Sequence, residues 1–156
     1  MRTGSDVRPG NSCGASHKRG WVELRAGNLD RAIADLGRAV ELDPGLAPAW
    51  QNRSVARSGK GDSEGALADL GKAHEADPRD PLVLVARSRV HRHRRDPGAA
   101  AEDLERAVAI DPRLAFAWCE LGEARIAQGN PRGALAPLTR AWELGVECVE
   151  LDVHVT

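Results

Sequence analysis

A run of arginine and histidine residues is the part of the sequence whose composition best suits anion binding. It extends from Arg87 to Arg95, reads RSRVHRHRR, and contains five Arg and two His. Guanidinium groups form paired hydrogen bonds with phosphate and carboxylate groups, so the run predicts a contact with phosphate or an acidic peptide. A helix spreads these side chains around its axis, and only Arg89, Arg92 and His93 are expected to share one face. No aromatic residue is interleaved for base stacking, which disfavours nucleic acid as the ligand.

Cysteine and histidine residues are the remaining candidates for chemistry, as metal ligands or catalytic groups. Cys13 and His17 have a usable spacing of four residues, but they lie at the expected frayed start of the first helix. His91 and His93 diverge by about 200° on a helix, so they cannot bind one ion together. No glycine loop for phosphate and no Ser/His/Asp or Cys/His set with a common pocket is evident. We therefore predict no metal site, no cofactor and no enzymatic activity.

The cysteines and the charge balance bear on the compartment. Cys13, Cys119 and Cys148 are odd in number and far apart, which argues against a disulfide framework and favours reduced thiols in the cytoplasm. Residues 1–12 lack the apolar core of a secretory signal, and no apolar run is long enough to span a bilayer. The formal net charge of -1 gives no global attraction to nucleic acid or a membrane. We expect a soluble cytoplasmic protein.

The elements that position these side chains come from a segment that the chain repeats four times. The second copy, DSEGALADLGKAHEADP, extends from Asp62 to Pro78, and the other copies lie at multiples of 34 residues from it. The residues that stay in register are Ala32, Ala66, Ala100 and Ala134, then Leu36, Leu70, Leu104 and Leu138, and finally Ala39, Ala73, Ala107 and Ala141. A fixed period without insertions indicates a stacked array of helical repeats.

Capping residues predict where the helices of each copy begin and end. The predicted N-caps of the second helices are Asn28, Asp62, Asp96 and Asn130. Gly27, Gly61 and Gly129 precede three of them and suit a left-handed turn, whereas Arg95 predicts a strained or differently shaped turn in the third copy. Asp-Pro pairs end three second helices, and Pro137 is expected to kink the fourth. The first helices are expected near 14–26, 47–59, 81–94 and 115–128.

Charged residues recur in the same register and predict an internal contact. Arg19, Arg53 and Arg87 lie on the first helices, and Asp35, Asp69 and Asp103 lie on the second helices. The fourth copy loses both members together, having Leu121 and Pro137 at these positions. We therefore predict that each Arg pairs with the Asp of its own copy, as Arg19–Asp35, Arg53–Asp69 and Arg87–Asp103.

Two segments, AWQNRSVARSGKGDSEGALADLGKAHEADP and AFAWCELGEARIAQGNPRGALAPLTRAWELG, resemble the tetratricopeptide repeat. The resemblance covers about residues 13–145 and rests on the period, on Trp50 and Trp118, and on the Gly/Ala and terminal Pro pattern. The chain departs from the family where leucines and Arg or His replace large aromatic residues between helices. The resemblance implies an all-α, right-handed superhelical solenoid of antiparallel helix pairs. Its expected repeats are 13–46, 47–80, 81–114 and 115–146, preceded by a disordered lead at 1–12 and followed by a cap or truncated fifth repeat at 147–156.

The resemblance also implies that the first helices line a concave groove that binds a peptide or a partner helix. The residues expected to line this groove are His17, Lys18, Trp21, Gln51, Asn52, Val55, Val85, Arg89, Arg92, His93, Phe116, Cys119, Glu120 and Glu123. Only Asn52 matches the family's clamp for a chaperone carboxylate, so we do not expect that ligand.

The predicted function is that of a protein-interaction scaffold. Its expected partner is another protein, with an acidic segment favoured by the basic third repeat, and self-association through the C-terminal edge is a further expectation. The alternatives are an anion- or RNA-binding solenoid that uses the third repeat, or the scaffolding part of a larger enzyme.

Overall fold

The computed structural model describes residues 12–148, and all regular secondary structure in that range is α-helical. The helices are α1 (Cys13–Arg25), α2 (Leu29–Leu42), α3 (Ala47–Gly59), α4 (Ser63–Ala76), α5 (Pro81–His93), α6 (Pro97–Ile110), α7 (Ala115–Ala127) and α8 (Pro131–Glu143). The predicted lead at 1–12 lies outside the described residues except for Ser12, and the predicted closing segment at 147–156 lies outside them except for its first two residues.

The helices form two compact units, one containing α1 to α4 and the other containing α5 to α8. In the first unit α1 packs on α2, α2 on α3, and α3 on α4; in the second unit α5 to α8 repeat the same order of contacts. The connections within each unit are only a few residues long, so successive helices pack antiparallel. The expected all-α fold of consecutive helix pairs is confirmed.

The predicted caps start three of the four second helices. The side chains of Asp62, Asp96 and Asn130 accept hydrogen bonds from backbone N–H groups three residues further on. Asn28 differs, because it makes no capping bond and instead donates from Nδ2 to a carboxylate oxygen of Glu23 at 2.7 Å. The position of the α2 start is therefore as predicted, but the side chain of its N-cap serves another contact.

The turn before each second helix has the same backbone conformation in all four copies. Gly27, Gly61 and Gly129 have φ between 76° and 81°, and Arg95 adopts φ 60° in the third copy. A side chain is disfavoured at positive φ, so the third turn is strained rather than differently shaped. The helix α8 continues through Pro137, and the predicted kink there stays a prediction.

Leucine and a small partner residue set the close approach within each helix pair. A Cβ added at Gly20 would lie 2.6 Å from Cγ of Leu36, and one at Gly122 would lie 2.5 Å from Cδ2 of Leu138. Buried serines occupy the equivalent places on α3 and α5, and their hydroxyls donate back to carbonyl groups of their own helices. Small residues on the first helices thus leave room for leucine to pack between the two helices of a pair.

The two recurring tryptophans form hydrogen bonds that join their first helices to the loops that precede them. Nε1 of Trp50 donates to the carbonyl oxygen of Pro44 at 2.8 Å, and Nε1 of Trp118 donates to that of Pro112 at 2.9 Å. An indole needs such a partner when its ring is partly buried. The recurrence of Trp therefore has a structural explanation in both units.

The three predicted Arg–Asp pairs are confirmed. Arg53 donates from Nε and Nη2 to the two carboxylate oxygens of Asp69, at 2.9 and 2.7 Å. Arg87 holds Asp103 in the same way, at 2.8 and 2.5 Å, and this hydrogen bonding raises the pKa of Arg87. Arg19 bonds Asp35 through Nη2 alone, and the side chain of Arg19 is half exposed. Each pair joins the two helices of one copy, as the loss of both members in the fourth copy predicts.

Candidate partner-binding groove

In the first unit, two residues predicted to line the groove form a hydrogen bond between the first helices α1 and α3. Nδ2 of Asn52 lies 3.0 Å from Nε2 of His17. Burial lowers the pKa of His17, because removing the ring from water disfavours its charged form. The bond fixes which faces of α1 and α3 lie side by side.

An exposed apolar surface lies one helical turn beyond that bond. Trp21 follows His17 by four residues and Val55 follows Asn52 by three, so both lie on the facing sides of α1 and α3. Their exposed fractions are 49% and 53%. Large apolar side chains this exposed on the facing sides of two helices are typical of a contact site for a partner.

Two basic residues flank the exposed tryptophan. Lys18 lies one turn before Trp21, and Arg25 lies one turn after it with its guanidinium carbon 5.9 Å from the centre of the indole ring. Neither cation forms an ion pair within residues 12–148. We refer to Lys18, Trp21, Arg25 and Val55 as the Trp21 surface. Gln51, also predicted to line the groove, is half-buried beside it.

The lowered pKa of His17 predicts a specific dependence of stability on pH. The unfolded chain protonates His17 near pH 6.5, whereas the folded chain protonates it only at lower pH. The contribution of neutral His17 to the free energy of unfolding is therefore fully present above pH 6.5. It is lost as the pH falls from about 6.5 through the folded pKa. We therefore expect wild type to lose more stability between pH 7 and pH 5 than His17→Gln, as measured by urea unfolding. Parallel losses in the two proteins would contradict the prediction.

In the second unit, the predicted basic and acidic parts of the groove neutralise each other. Arg89 on α5 donates to a carboxylate oxygen of Glu120 on α7, at 3.0 Å from Nε and 2.5 Å from Nη2. Arg92 donates to Glu123 at 2.8 Å, one turn further along both helices. The bond to Glu120 raises the pKa of Arg89. Because Arg87 is also paired, three arginines of the basic run already hold carboxylates, which weakens the case for an anion site there.

The remaining predicted groove residues of the second unit differ in exposure. Phe116 and His93 are exposed, whereas Val85 and Cys119 are buried, and the groove lining predicted from these residues stays a prediction. Val85 is part of the apolar core formed with α6 and α7. The spacing placed both residues on the correct helices but could not show how far each helix is rotated toward its neighbour.

Cys119 and Cys148 form a disulfide, so the expectation of three reduced thiols is wrong. The bond ties the segment after α8 back to α7 of the same unit. The sequence held a signal that could have predicted it: Cys148 lies where a further first helix would start, and each first helix starts beside the preceding one. Cys13 is the remaining free cysteine in the described range. The disulfide removes the argument from reduced thiols for a cytoplasmic location.

Metal-ligand clusters and membrane-spanning helices are both absent from the part of the chain that the structure describes. Within residues 12–148, no group of three or more His, Cys, Asp or Glu side chains could hold a metal ion. No helix in the same range is long and apolar enough to cross a membrane.

Comparisons with known proteins agree with the repeat register. Two sequence models of the family described as tetratricopeptide repeat match residues 15–46 and 52–115. No curated protein sequence matches the chain.

Several solved structures share the fold at low sequence identity. A crystal structure of MamA has a TM-score of 0.82 at 22% identity, covering 88% of this chain and 80% of that one. YrrB, described as a TPR protein with an unusual peptide-binding site, has a TM-score of 0.74 at 21% identity, covering 86% and 70%. PilF of Pseudomonas aeruginosa has a TM-score of 0.75 at 22% identity, covering 85% and 61%. The chain belongs to the tetratricopeptide repeat family.

Proposed function

We propose that the chain binds a peptide segment of a partner protein on the Trp21 surface. The observation that carries the proposal is that the indole of Trp21 and the side chain of Val55, on the facing sides of two first helices, are both about half exposed. Tryptophan is the residue most enriched among those that dominate binding energy, because its large ring loses much water contact with little loss of side-chain freedom. The peptide would place an apolar side chain against these two residues.

Charge favours acidic residues on either side of that apolar side chain. Lys18 and Arg25 stand one turn before and one turn after Trp21, and neither has a carboxylate partner among the described residues. The arginines of the second unit, by contrast, already hold Glu120 and Glu123. An acidic partner therefore suits the first repeat better than the third repeat, although the third carries more basic residues. The likeness to YrrB adds a precedent for peptide binding on this fold.

Selection from a displayed library of random peptides tests the proposal, because it requires no named partner. Selected peptides are expected to share an apolar residue flanked by Asp or Glu. Their affinity for Trp21→Ala should be at least about tenfold weaker than for wild type, or about 1.4 kcal/mol, as measured by fluorescence anisotropy. The double variant Lys18→Glu/Arg25→Glu should also bind the selected peptides more weakly than wild type. This loss of affinity should be larger at low salt than at high salt, because screening reduces the contribution of exposed charges.

Phe116→Ala is the matched control, because it removes an exposed aromatic ring from the second unit. It should leave the affinity of the selected peptides unchanged. Peptides that bind Trp21→Ala as tightly as wild type, or that are lost on Phe116→Ala, would place the binding surface elsewhere.

A further inference from the structure

We propose that copies of this chain associate head to tail, with the outer face of α8 of one copy docking on the outer face of α1 of the next. The proposal is independent of peptide binding on the Trp21 surface. It rests on two uncovered helix faces that correspond, residue by residue, to faces that are covered within each unit.

The first observation is the uncovered face of α8. In the first unit, Ile33 and Val40 of α2 pack in a cluster with residues of α3, and Val40 is buried. Leu135 and Trp142 occupy the same register positions on α8, yet they are 65% and 67% exposed. The helix α8 therefore presents the kind of apolar face that receives a first helix in the first unit.

The second unit gives the same comparison independently. Ala101 and Val108 of α6 are buried in a cluster with residues of α7. They lie 34 residues before Leu135 and Trp142, on the helix that corresponds to α8. No described residue covers Leu135 and Trp142 to a similar degree.

The complementary face lies on α1. The residues of α3 that pack in the cluster with α2 include Ala49 and Ala56, both fully buried. The register places Ala15 and Val22 at these positions of α1. Ala15 is half-buried and Val22 is 57% exposed. The helix α1 therefore presents the small and aliphatic residues with which a first helix packs on a preceding second helix.

A second copy of this chain is the occupant that these observations favour. Every copy carries both faces, and together they reproduce a kind of contact that the chain forms at α2–α3 and again at α6–α7. Trp142 would lie at the centre of the contact, where a large ring contributes most to binding. The net charge of -1 leaves little repulsion between copies. Because the two faces differ, the contact is heterologous and each added copy leaves a free face at both ends.

Sedimentation velocity over a range of concentrations tests the proposal. The weight-average mass of wild type is expected to rise with concentration beyond that of a dimer, because the contact does not close. Trp142→Glu and Val22→Glu should each raise the dissociation constant at least tenfold, since each buries an unpaired charge in the contact. An equimolar mixture of the two variants should form dimers and nothing larger, because each variant keeps one intact and complementary face.

Leu82→Glu is the control, since it places the same charge on an exposed leucine that belongs to neither face. It should associate like wild type, and circular dichroism should show equal helical content in all variants. Wild type that stays monomeric at all concentrations would overturn the proposal. A second outcome would be that Val22→Glu still dimerises as wild type does and that mixing it with Trp142→Glu gives no further association. That outcome would overturn the head-to-tail arrangement in favour of pairing between two α8 faces.

Discussion

Replacing Asp69 with alanine is expected to lower the free energy of unfolding by about 3 kcal/mol. Asp69 is almost fully buried and accepts hydrogen bonds from two arginines, Arg53 at 2.7 and 2.9 Å and Arg57 at 2.9 Å. Removing the carboxylate leaves both guanidinium groups mostly shielded from water and without their shared partner. The cost therefore comes mainly from the charges left behind and not from the lost hydrogen bonds alone.

The repeat provides a matched control at Asp35. This residue occupies the equivalent position on α2, but its partner Arg19 is half exposed and forms a single bond. Water can replace that contact, so Asp35→Ala should cost less than about 1 kcal/mol. Urea unfolding followed by circular dichroism measures both values. Equal losses in the two variants would show that burial does not decide the strength of these pairs.

Replacing Leu104 with alanine is the second change with a large expected effect, about 3 kcal/mol of unfolding free energy. Leu104 is 2% exposed and lies in one apolar cluster with Leu84 and Leu121. The substitution removes apolar contact and leaves a cavity between α5, α6 and α7 that rigid helices fill only in part.

Leu82→Ala makes the same chemical change at an exposed position of the same unit. Because little buried apolar surface is lost there, the free energy of unfolding should change by no more than about 0.5 kcal/mol. Urea denaturation of both variants gives the comparison. A small loss of unfolding free energy for Leu104→Ala would contradict the prediction. It would mean that the helices move together and fill the cavity left by the shortened side chain.

The candidate site was predictable only in part. The sequence placed Trp21, Val55, His17 and Asn52 on first helices, and the structure brings the last two into contact. It did not reveal that Lys18 and Arg25 have no carboxylate partner among the described residues, while three arginines of the denser basic run of the third repeat hold carboxylates. That difference depends on which side chains of the neighbouring first helix lie within reach, and sequence spacing within one helix does not contain this information.

The sequence by itself determined the helix boundaries, the pairing of helices and the three Arg–Asp contacts. Caps, prolines and positive-φ turns act on neighbouring residues, and a constant register carries each local contact from one copy to the next. Only the tertiary structure decided the burial of Cys119 and the Arg89–Glu120 and Arg92–Glu123 pairs. These contacts join different repeats, and they depend on how each first helix is rotated and spaced against the next. Packing of the whole unit sets that rotation, because it must bury the leucine and alanine faces together.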